Sequence, residues 1–254
     1  MASNPPGKCC TVGTLFEGEP RGQTTKVDGK IDAYLAEAPE AAARKGCGVL
    51  FLPDVIGIWQ NSKLMADSFA AAGYTTLIVD LFNGDPLSLN QVGITDFPKW
   101  LAQGSDGKNP HTPEYIDPIV VAGIKALRDL GVEKIAAVGY CFGAKYVIRH
   151  SKEDGIDVGF VAHPSLVEED ELAAINSPLS IAAAETDIIF PAEKRHKSEE
   201  ILVKTGQPYQ INLYSGVVHG FAVRANPEVR VEKFAREQAF RQAVTWFDEF
   251  LAGV

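Results

Sequence analysis

The chain is short of cysteine, with four residues among 254 and no pair at the Cys-x-x-Cys spacing of zinc sites. So few cysteines do not form a disulfide framework, and we expect a protein of a reducing compartment, the cytoplasm. No apolar run reaches the roughly 18 residues that a membrane span requires. Residues 1–8 also lack the apolar core of a secretory signal. These absences favour a cytoplasmic protein that crosses no membrane.

Positive charge is also scarce. Lysine and arginine number 24 against 33 aspartate and glutamate residues, so the formal net charge is −9. An acidic protein of this kind is a poor partner for nucleic acid or an anionic membrane surface. Hydrophobic residues make up 46% of the chain, which is enough for a sizeable core. We expect a single domain over 1–254, monomeric or homodimeric, whose partner is a small molecule.

Apolar runs alternate with amphipathic segments along most of the chain. Residues 48–54 and 75–82 are continuous apolar runs, typical of strands buried on both faces, and 60–72 between them reads as a helix. Further strands are predicted at 134–140, 158–163, 179–184 and 209–214, and further helices at 117–130, 193–204 and 232–251. This alternation predicts an α/β fold: a mostly parallel sheet of about seven or eight strands with helices on both faces.

Two stretches depart from this alternation. Residues 1–35 predict a mobile start and then an extra edge strand at 26–34, entered through an Asp-Gly turn. Residues 83–114 are rich in Gly, Pro, Asn and Asp, and a long irregular excursion of this kind is usually functional. We predict that it covers the active site. Trp100 would anchor this cover, either by contacting substrate or by packing in the core.

The run 134–149 holds the most informative motif. Its apolar start leads into Gly-Tyr-Cys-Phe-Gly at 139–143, and a helix-forming segment follows directly. A strand, a sharp turn and a helix in this order lift a nucleophile out of the backbone, and flanking glycines permit the close approach. Cys141 stands at the centre of the turn. A buried cysteine is often inert, but a helix N-terminus lowers a thiol pKa, so we predict that Cys141 is a nucleophile.

A thiol nucleophile needs a base and a group that orients the base. In sheets of this kind the acid and the histidine follow the nucleophile in the chain, on loops after later strands. Asp187 and His219 each come directly after a predicted strand. We therefore predict a triad of Cys141, Asp187 and His219 at the carboxyl ends of three strands, where such folds place ligands.

Each assignment has alternatives. Glu185 is a second acid near Asp187, and Asp187 could instead cap the helix that begins near Pro191. His163 also ends a predicted strand, but the proline after it is typical of a turn or a pocket wall. The remaining histidines are His111, in the irregular segment, and His150 and His196, which we expect to be solvated.

Backbone amides are predicted to stabilise the anion that forms during the reaction. The N–H of Phe142, at the start of the helix after the nucleophile, is one donor. The second is expected just after the first buried strand, at Val55. Asp54 precedes it, and a carboxylate at the end of a buried strand is costly unless it is used or paired. Its alternative role is a turn cap closed by Gly57.

These motifs together resemble the dienelactone hydrolase family, a branch of the α/β-hydrolase superfamily. The resemblance runs from residue 26 to the C-terminus. It rests on four blocks, at 139–144, 185–187, 219–224 and 53–57. The Cys-Cys pair at 9–10 and the segment 17–22 are similar to the amino-terminal stretch of fungal and other eukaryotic relatives.

The resemblance implies hydrolysis of an ester or lactone by a Cys–His–Asp triad, without a metal or organic cofactor. Cys141 would form a thioester, His219 would act as base and then acid, and Asp187 would hold the imidazole.

Two departures from the family pattern concern substrate. Family members carry a glutamate at the position of Asp54, where it helps to form the thiolate, and they bind a substrate carboxylate with arginines. Arg224 matches one of these arginines, but 83–114 contains none for the second. We therefore expect a bulkier or less acidic ester or lactone than dienelactone. The predicted substrate-binding residues are Asp54, Arg224, Trp100 and His163.

Other functions stay open at this point. The fold could serve as a binding module without turnover, and the same triad could transfer acyl groups or cleave carbon–carbon bonds. A thiol-redox protein using Cys141 is a further alternative. That role needs a resolving cysteine nearby. None is evident from the sequence, and Cys47 is left open for it.

Overall fold

The computed structural model describes residues 1–91 and 96–251, and its centre is an eight-stranded sheet. The strands are β1 (Gln23–Val27), β2 (Ile31–Ala36), β3 (Cys47–Leu52), β4 (Thr75–Val79), β5 (Lys134–Tyr140), β6 (Val158–Ala162), β7 (Leu179–Thr186) and β8 (Tyr209–Val218). Their order across the sheet is β1-β2-β4-β3-β5-β6-β7-β8, antiparallel from β1 to β4 and parallel from β4 onward. The predicted α/β fold is confirmed.

Eight helices accompany the sheet in the described ranges. They are α1 (Gln60–Ala71), α2 (Phe97–Gln103), α3 (Pro113–Asp129), α4 (Phe142–His150), α5 (Glu169–Ala173), α6 (Ala192–Thr205), α7 (Phe221–Arg224) and α8 (Arg230–Leu251). A 3-10 turn at Lys8–Thr11 precedes them. Within the described residues, no helix is both long and apolar enough to cross a bilayer.

The sheet divides the interior into two apolar layers. Alternate residues of β3 point to opposite faces, so Leu50 and Leu52 join one layer whereas Val49 and Phe51 join the other. The first layer also receives buried residues of α3, α4, α5 and α6. The second receives those of α1, α7 and α8. Central strands buried on both faces read as continuous apolar runs, which is why periodicity located them.

The first 36 residues differ from the sequence prediction. The Asp28–Gly29 turn joins two strands, β1 and β2, into an antiparallel hairpin instead of leading into one edge strand. The prediction that the first residues are mobile is also wrong. Residues 1–14 are held in place by hydrogen bonds to backbone groups that are distant in the chain. We call residues 1–14 the N-terminal strap.

The described part of the irregular segment 83–114 contains α2 and the first two residues of α3. A hydrogen bond from the Lys99 amide to the Asp96 side chain (3.0 Å) caps the start of α2. Residues 92–95 of the predicted cover lie outside the described residues. β8 continues four residues beyond its predicted end because it pairs with β7 across an irregularity, with Thr186 opposite Val218. The single-domain assignment stays a prediction.

Helix α4 starts so close to β3 that position 143 has no room for a side chain. A Cβ at Gly143 would overlap the Leu52 carbonyl oxygen. The backbone is locked there, because the Gly143 amide donates to the Pro53 carbonyl at 3.1 Å.

We expect Gly143→Ala to destabilise the protein by about 1–3 kcal/mol or more, because the clash is with backbone and cannot be relieved by a side-chain rotation. Urea unfolding followed by circular dichroism measures this. Gly7→Ala is the control, since a Cβ at Gly7 meets no atom within 4 Å in the described structure. Equal stability of the two variants would contradict the close approach of α4 to β3.

Candidate active site

Cys141 occupies the tight turn between β5 and α4. Its backbone has φ 52° and ψ −106°, a conformation that residues other than glycine rarely adopt. Two hydrogen bonds hold it: the Cys141 amide donates to the Ala162 carbonyl at 3.2 Å, and the Ser165 amide donates to the Cys141 carbonyl at 3.0 Å. Gly139 is required because a Cβ there would lie 2.7 Å from the Ala144 Cα. The turn predicted from sequence is therefore present, and it is strained.

Asp187 and His219 lie together at the ends of neighbouring strands. The distance from His219 Nδ1 to Asp187 Oδ2 is 2.9 Å, and both side chains are buried. Asp187 Oδ1 also accepts from the amides of Ile189 and Phe190 at 2.8 and 3.0 Å. Asp187 therefore orients the imidazole through Oδ2 and caps the following turn through Oδ1. Glu185, the rival acid, is exposed and accepts instead from the Gly216 amide at 2.7 Å.

The sulfur of Cys141 faces this imidazole, but it shares the space with a second thiol. Donor atoms of Cys10, Cys141 and His219 all lie within 4.8 Å of one another. Cys10 Sγ is 3.4 Å from Cys141 Sγ and 3.6 Å from His219 Nε2. Sequence reasoning did not assign Cys10 to the site. Its only mark was the Cys-Cys pair near the start of the chain, which says nothing about where that segment docks.

The charges at the site favour a thiolate and an imidazolium. Burial acts to raise the pKa of Cys141, but the hydrogen bond with Cys10 and the charge of His219 outweigh it and hold that pKa well below its usual value. Burial acts to lower the pKa of His219, but the charge of Cys141 and the hydrogen bond with Asp187 raise it to about 10. Burial raises the pKa of Cys10 well above its usual value. Cys141 is therefore the thiolate of the pair.

The two amides predicted to hold an oxyanion are free for that purpose. Phe142 is the first residue of α4, and Val55 follows β3 directly. Neither amide donates a hydrogen bond within the described ranges. The bond between Gly143 and Pro53 joins the two loops that carry them. Their role in catalysis stays a prediction.

Asp54 and Arg224 form a buried ion pair through Arg224 Nη1 and Asp54 Oδ2. Asp54 Oδ1 accepts from the Ile56 amide at 3.1 Å, so the expected turn cap is present as well. Burial outweighs the charge of Arg224 and raises the pKa of Asp54 to about 6. Arg224 Nε and Nη2 also donate to the carbonyls of Val12 (3.2 Å) and Cys9 (3.4 Å). Substrate binding by either residue stays a prediction.

His163 packs against His219. Its ring is T-shaped to His219 at 4.9 Å between centroids, and it is fully buried. Burial holds its pKa well below the usual range, so it is neutral. Neither ring nitrogen has a hydrogen-bond partner among the described residues. It therefore has the groups to bind a ligand at the site, and that role stays a prediction.

The other histidines lie elsewhere. His111 Nε2 is 3.0 Å from Asp85 Oδ2, and its ring packs against Trp100 at a tilt of 50°, with 4.4 Å between the ring centroids. His150 is half-buried at 3.0 Å from Asp117, so the expectation that it is solvated is wrong; His196 is exposed as expected.

Trp100 packs inside the apolar layer that contains Phe142. The two rings are 6.3 Å apart, and the indole N–H donates to the Asp85 carbonyl at 3.2 Å. The packing alternative is therefore observed, and substrate contact stays a prediction.

The N-terminal strap closes the site. The amides of Ala2 and Asn4 donate to the carbonyls of Val167 and Ile189, both at 2.7 Å, and Asn90 donates to Thr11 at 2.6 Å. Cys141 is consequently 0% exposed. A cavity of about 920 Å³ lies nearby, between residues 14–17, α1 and α8, but its described lining excludes all three predicted triad residues.

Cys10, Cys141 and His219 have donor atoms spaced closely enough to share one thiophilic metal ion. An ion held there would coordinate both the Cys141 sulfur and the His219 imidazole.

The sequence and the fold are similar to those of known proteins. The sequence profile of the dienelactone hydrolase family matches residues 31–251. The chain is 47% identical to "Hydrolase pyvD" of Aspergillus violaceofuscus and to "Hydrolase tropI" of Talaromyces stipitatus, with 99% of each chain covered. It is 34% identical to "Dienlactone hydrolase 1" of Gibberella moniliformis, covering 99% of this chain and 97% of the relative.

A solved structure has the same fold. The putative dienelactone hydrolase from Klebsiella pneumoniae superimposes with a TM-score of 0.72 at 14% identity, over 91% of this chain and 98% of that one. At this identity the similarity shows the fold alone.

Asp54→Asn tests the buried ion pair. The substitution leaves the Arg224 guanidinium buried without its counter-charge, so we expect a loss of about 3–5 kcal/mol in the free energy of unfolding. Urea unfolding at pH 8, above the pKa of Asp54, measures it.

The control for this experiment is an exposed pair. Lys26 Nζ and Asp32 Oδ1 are 2.6 Å apart with both side chains more than half exposed, so Asp32→Asn should cost less than about 1 kcal/mol. Similar losses in the two variants would show that Asp54 is not the essential partner of Arg224.

Proposed function

Because the chain belongs to the dienelactone hydrolase family, we propose that it hydrolyses an ester or lactone of a small organic molecule through Cys141. One observation carries this proposal. Asp187, His219 and the Cys141 sulfur meet at the carboxyl ends of β7, β8 and β5, with the imidazole bonded to the carboxylate at 2.9 Å. This is the order of contacts that an activated thiol nucleophile needs.

The proposed reaction starts from the Cys141 thiolate and the His219 imidazolium of the free protein. The Cys141 thiolate attacks the carbonyl carbon, and the amides of Phe142 and Val55 hold the oxygen that becomes negative. The His219 imidazolium gives its proton to the leaving oxygen, which leaves a thioester on Cys141. His219, now neutral, takes a proton from water, and the hydroxide releases the acid and restores the thiolate. Asp187 keeps Nδ1 protonated, so that Nε2 faces the reacting atoms.

Arg224 bears on the choice of substrate. Its guanidinium is already paired with Asp54 and with two strap carbonyls, and 83–114 supplies no second arginine. A dianionic or strongly acidic substrate would have to compete with Asp54 for this cation. We infer that the substrate is a less acidic ester or lactone, with the neutral ring of His163 as a further polar contact.

Substitution of the nucleophile tests the proposed reaction. With a panel of p-nitrophenyl esters and small lactones, Cys141→Ala should lower kcat/KM by ~10³-fold or more. Cys141→Ser should retain part of the activity, because a hydroxyl also serves with a histidine base. Wild type should show a burst and a covalent acyl adduct on Cys141 in rapid-quench mass spectrometry.

Cys47→Ala is the matched control. Cys47 pairs with Lys134 at the start of β5, at the opposite end of the sheet from Cys141, so activity should persist. Full esterase activity in Cys141→Ala would refute the assignment of the nucleophile.

The pH dependence of kcat/KM tests the ion pair. Activity should rise at a pH well below the ordinary thiol pKa of roughly 8.5, because the Cys141 thiolate persists there. It should fall as pH passes through about 10, where His219 loses the proton it gives to the leaving group. An uncharged ester is the substrate, with Cys141→Ala as the background. A rise centred on the ordinary thiol pKa would contradict the thiolate–imidazolium pair.

A further inference from the structure

Cys10 is a buried thiol that the proposed hydrolysis does not use. It lies in the 3-10 turn of the N-terminal strap, 131 residues away from Cys141 in the chain. Its sulfur is nevertheless the neighbour of the nucleophile at 3.4 Å, and the His219 ring nitrogen is 3.6 Å away on its other side. Both cysteines are fully buried. A disulfide needs the sulfurs to approach by only about 1.4 Å more, to a bond of about 2.0 Å.

We propose that Cys10 is a resolving thiol, and that hydrogen peroxide or a small organic hydroperoxide converts Cys10 and Cys141 into a disulfide that switches the hydrolase off reversibly. This inference rests on the proposed function, because hydrolysis is the activity that the switch turns off. Formation of the disulfide itself does not depend on the proposed function. Cys10 supplies the neighbouring thiol that a peroxide-sensitive cysteine requires.

The first step oxidises Cys141. Its thiolate attacks the outer oxygen of the hydroperoxide, the S–O bond forms, and the O–O bond breaks. The departing alkoxide, or hydroxide from hydrogen peroxide, takes the proton of the His219 imidazolium. Cys141 loses two electrons and becomes a sulfenic acid, and the hydroperoxide is reduced to an alcohol or water.

The second step forms the disulfide. His219, now neutral and 3.6 Å from Cys10 Sγ, accepts the thiol proton. The Cys10 sulfur attacks Cys141 Sγ, the S–S bond forms, and the S–O bond breaks. The departing hydroxide takes the proton from His219 and leaves as water. Reduction by a dithiol returns both residues to their starting state.

The position of the other cysteines favours Cys10 over them. Cys47 lies at the far end of the sheet, opposite Lys134. Cys9 is half-buried, and its carbonyl accepts from Arg224 at 3.4 Å. Among the described residues, Cys10 is the cysteine whose sulfur lies within hydrogen-bonding distance of Cys141 Sγ.

The disulfide would act in three ways. It removes the sulfur that attacks substrate, and it ties the strap across the site. It also shields Cys141 from oxidation to sulfinic acid, which a dithiol does not reverse.

Peptide mass spectrometry tests the proposal on the full-length protein. Wild type, Cys10→Ser and Cys9→Ser are treated with hydrogen peroxide, alkylated and digested with trypsin without reduction. Trypsin should yield the peptides 9–21 and 135–145. We expect these two peptides to be linked in wild type and in Cys9→Ser, with a mass lower by two hydrogen atoms than their sum. In Cys10→Ser we expect them to be separate, with Cys141 present as sulfinic acid.

Activity is read in the same samples. Oxidised wild type should lose ester hydrolysis in proportion to the linked fraction and recover it fully with dithiothreitol, whereas oxidised Cys10→Ser should not recover. A link that persists in Cys10→Ser, or a wild-type Cys141 that becomes sulfinic acid while Cys10 is unmodified, would overturn the proposal. A reduced wild type without hydrolysis that still forms the link would refute the proposed function and leave the disulfide standing.

Discussion

The pairing of β7 with β8 places Asp187 next to His219, and the rest of the site depends on this contact. Thr186 lies opposite Val218 across an irregularity in the ladder, so the next residue of each strand emerges at the same height. A slip of one residue would turn the imidazole to the other face of the sheet. Because the carboxylate fixes Nδ1, Nε2 is directed toward both sulfurs. The register of β7 and β8 thereby positions the imidazole whose charge helps to lower the pKa of Cys141, which lies three strands away from β8.

The interior around Cys141 carries several charged groups, and they depend on one another. The Cys141 thiolate is stabilised by the imidazolium and also by the positive charge of Arg224. That arginine holds Asp54 and, through carbonyls, the strap. Buried charges are costly unless they are paired, so loss of one member would leave the others unbalanced. The strap is consequently tied electrostatically to the cluster that contains Cys141 and His219.

Sequence reasoning succeeded where the controlling contacts are local. The elbow at Cys141 was predictable because glycine spacing, an apolar strand and a helix start lie within one short run. Asp187 and His219 were placed by their positions after apolar strands, although β8 proved longer than its apolar pattern. Cys10 was missed because its neighbour is 131 residues away, and no local pattern shows where an irregular segment docks. The hairpin of β1 and β2 was half-recognised: the turn was visible, but the polar first strand was not.

The strap precedes residue 31, where the match to the family profile begins. The thiol beside Cys141 therefore lies outside the part of the chain that the profile matches, although it is buried in the same apolar layer as Cys141. If the proposed disulfide forms, a replacement at position 10 would alter the chemical sensitivity of the enzyme while leaving Cys141, Asp187 and His219 in place. An engineer could thus retune how long the enzyme survives in an oxidising medium by editing one residue of the strap, outside the sheet and its helices.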